Sequence, residues 1–266
     1  MAALLGKMYH TYNYLFYDLA DPRTNNLFLI PSPFPGLALV ASYVYITKFL
    51  GPRLMMDRKP FELKKIIQLY NVVQIIANVY IFAQCLRLGW AGTYSWTCEP
   101  VDYSNTPTAL EVAHGVYHFF LIKVLDLLDT IFFVLRKKSS QISFLHVYHH
   151  AGMVMLTWGA AKYLPGGHGT FLGFINSFVH IIMYSYYLLA SLSSDSRKYL
   201  WWKKHLTQLQ MVQFFFITIH SLQLLFVENC GYPVWTTAVV VPQNAFMSAL
   251  FYDFYRKAYR PSKKTV

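Results

Sequence analysis

The sequence predicts an all-α polytopic membrane protein with seven transmembrane helices. Of its 266 residues, 55% are hydrophobic and only 13% are charged. A soluble domain carries roughly twice that charged fraction. Apolar runs long enough to cross a hydrocarbon core of ~30 Å recur along the whole chain. They fall at about 33–51, 66–86, 114–135, 142–163, 170–190, 206–226 and 234–254.

We interpret the chain as a single membrane domain. A lumenal N-terminal segment covers residues 1–32, the helices lie within residues 33–254, and a cytosolic tail covers residues 255–266. Met1 to Asn26 is aromatic but interrupted by polar residues, which is not typical of a cleavable signal peptide.

The net charge of +11 follows membrane topology rather than nucleic-acid chemistry. With a lumenal N-terminus, most of the 23 basic residues fall in the cytosolic loops and tail. The positive-inside rule explains this bias and predicts a cytosolic C-terminus. Anionic headgroups or a phosphate-rich substrate could use the same surface, and we expect no nucleic-acid partner.

Cysteines and the C-terminus indicate the compartment. Cys98 and Cys230 fall in lumenal loops, where a disulfide would be stable in the endoplasmic reticulum. Lys263 and Lys264 resemble a dilysine retrieval signal of that organelle, with a merely basic tail as the alternative. The sequence therefore predicts a multi-pass protein of the endoplasmic reticulum membrane.

Three histidines indicate chemistry within the bilayer. His146, His149 and His150 are spaced so that their imidazoles lie on one face of a helix. Titratable side chains at membrane depth are costly and are usually kept for catalysis or transport. An active site is therefore favoured over a packing role.

Polar side chains of three further predicted helices lie at a comparable depth. A rise of 1.5 Å per residue places them about 5–22 Å from the cytosolic helix ends. Because they cannot face lipid, we expect all four helices to face one shared interior. A helix–helix hydrogen bond is the alternative for each group taken alone. The groups are Lys123, Asp126, Asp129, Asn176, His180, Tyr184, Tyr187, Thr207, Gln210 and Gln213.

These residues form four ordered motifs. Lys-x-x-Asp-x-x-Asp-Thr begins at Lys123, His-x-x-His-His at His146, Asn-x-x-x-His-x-x-Met-Tyr-x-Tyr-Tyr at Asn176, and Thr-x-x-Gln-x-x-Gln at Thr207. Together they resemble the ELO family of very-long-chain fatty acid elongases, which are membrane 3-oxoacyl-CoA synthases. The one departure is Asp126, where the family has Glu. The charge is kept, but the reach is one methylene shorter.

The resemblance implies that six of the seven helices enclose a narrow tunnel for an acyl chain. It also implies condensation of a long-chain acyl-CoA with malonyl-CoA, which releases CO2 and CoA and gives a 3-oxoacyl-CoA two carbons longer. These substrates require no cofactor and no metal. The resemblance further implies that Cys98 pairs with Cys230. We expect association with other enzymes of the elongation cycle, and a homodimer is an open possibility.

The catalytic roles follow from the need for a nucleophile. No cysteine lies near the polar layer, whereas neutral imidazole can attack a thioester and form an acyl-imidazole. We assign this role to His149, as similar proteins suggest, and expect His180 to contact the acyl or malonyl carbonyl. His146 and His150 would orient groups, exchange protons or stabilise an enolate. Asp129 would fix the tautomer of a histidine.

The remaining polar residues are assigned to substrate binding. Lys123 is expected to pair with Asp126, with contact to a malonyl carboxylate as the weaker alternative. Side chains expected to line the site and bind pantetheine or carbonyl groups are those of Asn176, Tyr184, Tyr187, Thr207, Gln210 and Gln213. Basic residues expected where CoA phosphates would dock, a position that positive-inside bias also predicts, are Lys137, Lys138, Lys203, Lys204 and Arg260.

Two other classes compete with this interpretation. Membrane di-iron desaturases or hydroxylases also use His-x-x-His-His, and His114 with His118 imitates a first box. However, His118 lies near the opposite membrane face, and a third box is absent from the sequence. A lipid transporter would be favoured by inverted repeats or paired broken helices, and the sequence contains neither.

Overall fold

The computed structural model describes residues 1–192 and 201–259, without the side chains of residues 2 and 3. Every regular element in these ranges is helical. The chain divides into two compact units. Unit 1 comprises residues 1–62 and 100–170, and unit 2 comprises residues 63–99 and 171–266. Our interpretation of the chain as a single domain stays a prediction.

The described residues form eleven α-helices. Three of them continue into π-helical turns, which are Tyr14–Asp18 after the first helix, Ile46–Leu50 after the third and Leu86–Trp90 after the fifth. The helices are α1 (Ala2–Asn13), α2 (Pro22–Asn25), α3 (Pro33–Tyr45), α4 (Gly51–Met55), α5 (Lys64–Cys85), α6 (Pro107–Leu125), α7 (Leu127–Leu135), α8 (Phe144–Tyr163), α9 (Thr170–Leu192), α10 (Lys203–Leu222) and α11 (Thr237–Tyr259).

Helices coincide with all seven predicted spans. Within the described ranges, four helices are long and apolar enough to cross a membrane, namely Pro33–Met55, Lys64–Trp90, Gly167–Leu192 and Val234–Tyr259. The helices at the other three predicted spans are α6 with α7, α8, and α10. Their motif residues lower the mean hydropathy. A multi-pass membrane protein is thus supported, whereas the count of seven spans and the acyl tunnel stay predictions.

Side-chain caps are present at the starts of four helices of unit 1, namely α2, α3, α6 and α8. Ser32 accepts a hydrogen bond from the Phe34 backbone N–H at 3.4 Å at the start of α3. Ser143 does the same for the His146 N–H at 3.2 Å at the start of α8. Such caps satisfy backbone donors that have no partner within the helix. Ser143 therefore places the histidine motif in the first two turns of α8.

The predicted helix at 114–135 is interrupted, which the sequence did not indicate. α6 ends at Leu125 and α7 begins at Leu127, with Asp126 between them at ψ −21°. The Asp129 N–H donates to the Asp126 carbonyl at 3.2 Å, so the chain tightens to an i→i+3 turn. A tight turn inside a long helix often marks a functional position. Neither Gly nor Pro occurs at this position in the sequence.

Close packing in unit 1 brings α4 against α7. A Cβ atom on Gly51 would lie 2.6 Å from Val134 Cγ1 and 2.6 Å from the Ile46 carbonyl oxygen. Only glycine permits this approach. The core of the unit is built by α3, α6 and α8 around Phe120, Val154 and other buried apolar residues.

In unit 2, an aromatic cluster surrounds Trp90, the last residue of the helical segment Lys64–Trp90. Its ring centroid lies 5.3 Å from Phe171 and 5.3 Å from His220. His220 stacks on Phe171 at 3.9 Å. His220, for which the sequence indicated no role, is therefore buried among aromatic rings. The disulfide between Cys98 and Cys230, the pair implied by the resemblance, lies in the same unit.

Candidate active site

The histidine motif forms a contiguous imidazole cluster on α8. The rings of His146 and His150 are 4.3 Å apart, and those of His149 and His150 are 5.7 Å apart. The Nδ1 atom of His149 is buried. The spacing of the motif thus predicted correctly that the three imidazoles share one face.

Thr130 on α7 binds the first of these histidines. Its Oγ1 lies 2.9 Å from His146 Nε2 and 2.8 Å from the Tyr43 hydroxyl on α3. Tyr43 had no role in the sequence-based prediction. A single tyrosine in an apolar span gives no signal of its own, since only the packing of α3 brings it to Thr130.

Lys123 and Asp126 form a buried ion pair at the break between α6 and α7. Lys123 Nζ donates to Asp126 Oδ2 at 2.8 Å, and the two side chains are 2% and 4% exposed. The ammonium also lies 4.9 Å from the centre of the Phe119 ring and interacts electrostatically with His149. The predicted pairing is therefore present, and the Lys123 charge acts on the histidine cluster.

Asp129 is half-buried on α7, next to Thr130. We predicted that it fixes the tautomer of a histidine. The hydrogen bond to His146 comes instead from the neighbouring Thr130. That Asp129 fixes the tautomer of another histidine, His149 or His150, stays a prediction.

The Asn176 motif lies on α9 in unit 2. His180 is 7% exposed and its ring centroid is 5.6 Å from that of the fully buried Tyr184. Tyr184 contacts Tyr70 on α5, with 3.5 Å between the hydroxyls. Asn176 is also buried, whereas Tyr187 is 43% exposed. The expectation that the polar groups of the two units face one interior stays a prediction.

A polar stripe on α5 was missed in the sequence. Asn71, Gln74 and Asn78 are 2%, 0% and 0% exposed. Gln74 Nε2 donates to the Tyr70 hydroxyl at 2.8 Å. Their spacing of three and four residues is the same signal that singled out the histidines. Our sequence analysis considered amides of later spans, among them Asn176 and Gln210, but not those of the span at 66–86.

The Thr207 motif lies on α10 of the same unit. Thr207 and Gln213 are each 5% exposed, and Gln210 Nε2 lies 3.6 Å from Met183 Sδ. Gln213 Oε1 is buried and accepts no hydrogen bond from any described residue. An unsatisfied buried amide oxygen is costly, so a ligand donor at this position would be favoured.

The basic residues assigned to CoA phosphates differ in their contacts. Lys137 Nζ donates to the carbonyls of Met56 and Arg58 at 3.0 and 3.1 Å, so it joins two loops of unit 1. The side chains of Lys138, Lys203 and Lys204 are exposed. Three predicted residues, Arg260, Lys263 and Lys264, lie outside the described residues. Across residues 1–192 and 201–259, no group of three or more His, Cys, Asp or Glu could hold a metal ion.

Comparison with known proteins decides the family. The family model described as "ELO: GNS1/SUR4 family" matches residues 28–266. The chain belongs to the ELO family. The resemblance predicted from the four motifs is therefore confirmed.

Curated relatives of this ELO chain are similar over most of their length. A very long chain fatty acid elongase of Aedes aegypti is 46% identical over 266 residues, covering 98% of this chain and 73% of the relative. Very long chain fatty acid elongase 7 of Drosophila melanogaster is 44% identical over 255 residues, covering 96% and 78%. Very long chain fatty acid elongase 1 of Homo sapiens is 40% identical over 247 residues, covering 92% and 88%.

Proposed function

We propose that this ELO family member is an acyltransferase of fatty acid elongation, a very-long-chain 3-oxoacyl-CoA synthase. It condenses a long-chain acyl-CoA with malonyl-CoA and releases CO2 and CoA. The product is a 3-oxoacyl-CoA two carbons longer. The observation that carries the proposal is the imidazole cluster on α8, with the rings of His146 and His150 4.3 Å apart, together with the buried Lys123–Asp126 ion pair of the same unit. Such a cluster supplies nucleophile and hydrogen-bond donors without a cofactor.

The first half-reaction loads the acyl group onto the enzyme. A ring nitrogen of neutral His149 attacks the thioester carbonyl, so a C–N bond forms and the C–S bond breaks. The proton from the other ring nitrogen goes to the departing thiolate, which leaves as free CoA. The product is an acyl-imidazole on His149, which water would hydrolyse if the site were open to solvent.

The second half-reaction uses malonyl-CoA. Loss of CO2 breaks the bond between the malonyl carboxylate and the α-carbon and leaves an enolate. The α-carbon attacks the acyl carbon, the C–N bond to His149 breaks, and the departing imidazolate takes up one proton, ultimately from water, to give neutral His149. Hydrogen-bond donors near the developing oxyanions lower the barrier to both steps. We assign this to His146, His150 and His180, with Asp129 orienting an imidazole.

The ion pair and the polar side chains have supporting roles in this proposal. Lys123, neutralised by Asp126, sets the electrostatic potential at His149. Polar groups that bind pantetheine and the carbonyls are Asn176, Tyr184, Tyr187, Thr207, Gln210 and Gln213. Basic groups that bind CoA phosphates are Lys137, Lys138, Lys203, Lys204 and Arg260. We also propose residence in the endoplasmic reticulum membrane with a lumenal N-terminus, and association with other elongation enzymes.

Purified protein in detergent, supplied with acyl-CoA and radiolabelled malonyl-CoA, tests the proposal. We expect a 3-oxoacyl-CoA two carbons longer, with one CO2 released per product. His149→Ala should abolish product, whereas the exposed His205→Ala should behave as wild type. A wild-type protein that makes no 3-oxo product across a series of acyl chain lengths would refute the proposed function. Stoichiometric iron with desaturated product would favour the di-iron alternative.

A further inference from the structure

Three helices of unit 1 contribute to a chain of two hydrogen bonds that ends at the histidine cluster. The Tyr43 hydroxyl on α3 lies 2.8 Å from Thr130 Oγ1 on α7, and that oxygen lies 2.9 Å from His146 Nε2 on α8. Tyr43 is 4% exposed and Thr130 is fully buried. The bond between Tyr43 and Thr130 is therefore shielded from water, whereas the bond between Thr130 and His146 is partly buried. The protons of the chain are shared among these three groups.

The number of hydroxyl protons determines which group donates and which accepts in each of these two hydrogen bonds. Among the described residues, Thr130 is the only hydrogen-bond partner of the Tyr43 hydroxyl, so its single proton is donated to Thr130. A buried phenol that only accepted would leave its O–H unsatisfied. Thr130 then has one proton to donate. Within the described structure its hydroxyl reaches the Tyr43 hydroxyl, which already donates to it, and His146 Nε2, which is left to accept that proton.

This direction defines the tautomer of His146. Because Nε2 accepts from Thr130, the ring proton of neutral His146 is on Nδ1. The lone pair of Nε2 is occupied, so the imidazole can offer a reacting molecule only the Nδ1–H. The neighbouring Phe133 ring, with its centroid 5.2 Å from that of His146, restricts rotation of the imidazole.

We propose that Tyr43 and Thr130 are positioning residues that keep His146 in the Nδ1–H tautomer, so that His146 acts on substrate as a hydrogen-bond donor and not as a base. This inference rests on the proposed function. The donor stabilises the carbonyl oxygen on which negative charge develops during thioester attack or after loss of CO2. No covalent bond to His146 forms, and no proton leaves it. From the His-x-x-His-His motif alone, His146 could have acted either as a hydrogen-bond donor or in proton exchange.

Two substitutions of His146 separate the donor role from a packing role. The amide nitrogen of Asn occupies the position of histidine Nδ1, whereas that of Gln reaches the position of Nε2. We expect His146→Asn to keep kcat within about tenfold of wild type, and His146→Gln to lose about 10²-fold or more, as when an oxyanion donor is removed. A packing role predicts the opposite order, because Gln keeps the contact with Thr130. Equal loss in both variants, or a more active Gln variant, would overturn the inference.

Substitutions along the chain test the positioning roles. Thr130→Val should lower kcat about 10²-fold with little change in KM for malonyl-CoA, and Thr130→Ser should restore it. Tyr43→Phe should have a smaller effect of about tenfold, because Thr130 keeps its own proton. Thr157→Val is the matched control and should be neutral, because it removes a buried hydroxyl whose hydrogen bonds among the described residues lie within α8.

A double substitution distinguishes an indirect effect from a general structural one. Thr130→Val should lower kcat further by less than about threefold in the His146→Asn background, because residues that act through one contact are not additive. Full additivity would show that Thr130 acts independently of His146 and would overturn its positioning role. If the wild-type enzyme is active and the two substitutions are additive, the positioning role is wrong but the proposed function stands. If the wild-type enzyme makes no product, the proposed function itself is wrong.

Discussion

Two lysines are buried in unit 1, and their surroundings differ in kind. Lys123 at the end of α6 is 2% exposed and pairs with a carboxylate, Asp126 Oδ2, at 2.8 Å. Lys162 at the end of α8 is fully buried and donates to neutral oxygens. These are Asn25 Oδ1 at 2.7 Å and the carbonyls of Ile30 and Pro31, each at 3.0 Å.

Lys162 also lies among aromatic rings. Its Nζ is 5.9 Å from the centroid of Phe16, 5.6 Å from Trp158 and 5.9 Å from Tyr163, so cation–π attraction replaces part of its lost hydration. All of its acceptors belong to the segment that precedes α3. Lys162 therefore anchors the N-terminal segment to α8.

The difference shows how the same residue type serves two purposes. Lys162 is bound by neutral amide and carbonyl oxygens that do not ionise, so its contacts stabilise one conformation. Lys123 is bound by a charged partner beside the histidine cluster, and the pair sets the local potential. Removing Lys123 leaves a buried charge, whereas removing Lys162 leaves only neutral acceptors.

Lys123→Met should have the largest effect. It leaves the Asp126 carboxylate buried without its ammonium partner, which costs about 3–5 kcal/mol of the free energy of unfolding. Activity should fall by about 10²-fold or more, since a charge acting on His149 is lost. Thermal unfolding in detergent and condensation rates measure the two effects. The exposed Lys65→Met is the control. Unchanged stability with unchanged rate would remove Lys123 from the site.

Lys162→Met should destabilise the protein by less, about 2 kcal/mol, because three neutral acceptors lose their donor but no charge is stranded. The rate per folded molecule should stay close to wild type, since Lys162 has no part in the proposed chemistry. The midpoint of thermal unfolding and the specific activity of the folded fraction measure this. A large loss of kcat at unchanged stability would contradict the contrast drawn here.

The double variant Lys123→Met with Asp126→Leu should separate stability from activity. Replacing a buried ion pair by apolar side chains of similar volume is often neutral, so the free energy of unfolding should return to within about 1 kcal/mol of wild type. Activity should stay as low as in Lys123→Met. Recovery of activity along with stability would mean that the ion pair serves only packing.

Asp102→Asn should have the smallest effect, because this carboxylate is exposed. Hydrogen bonds from the side chain and backbone of Ser104 hold the pKa of Asp102 below its usual value of 3.8. Its contribution to stability is therefore complete above pH 3.8 and is lost as the pH falls through the lowered pKa. The unfolding midpoint of Asp102→Asn should be slightly below wild type at pH 7 and equal to it in strong acid. A constant difference across pH would contradict this assignment.

Local patterns identified much of the candidate site. The three imidazoles on one face and the Lys123–Asp126 pair follow from residue spacing on a helix, which can be read from the sequence. The seven apolar runs, which are also local features of the sequence, coincide with helices. The same spacing rules could have identified the polar stripe on α5, but they were not applied to the predicted span at 66–86.

By itself, the sequence determined the helical class, the helix positions, the histidine cluster and the family. The first three depend on neighbours within a turn or two, and the family depends on four ordered motifs between Lys123 and Gln213. Only the tertiary structure decided which residues from distant parts of the chain meet, such as Tyr43 with Thr130, which are 87 residues apart, and Lys162 with Asn25, which are 137 apart. A buried polar group must be satisfied, but the requirement does not say which helix supplies the partner. The packing of helices within unit 1 determines the partner, with α3 meeting α7 at Tyr43 and α2 meeting α8 at Lys162.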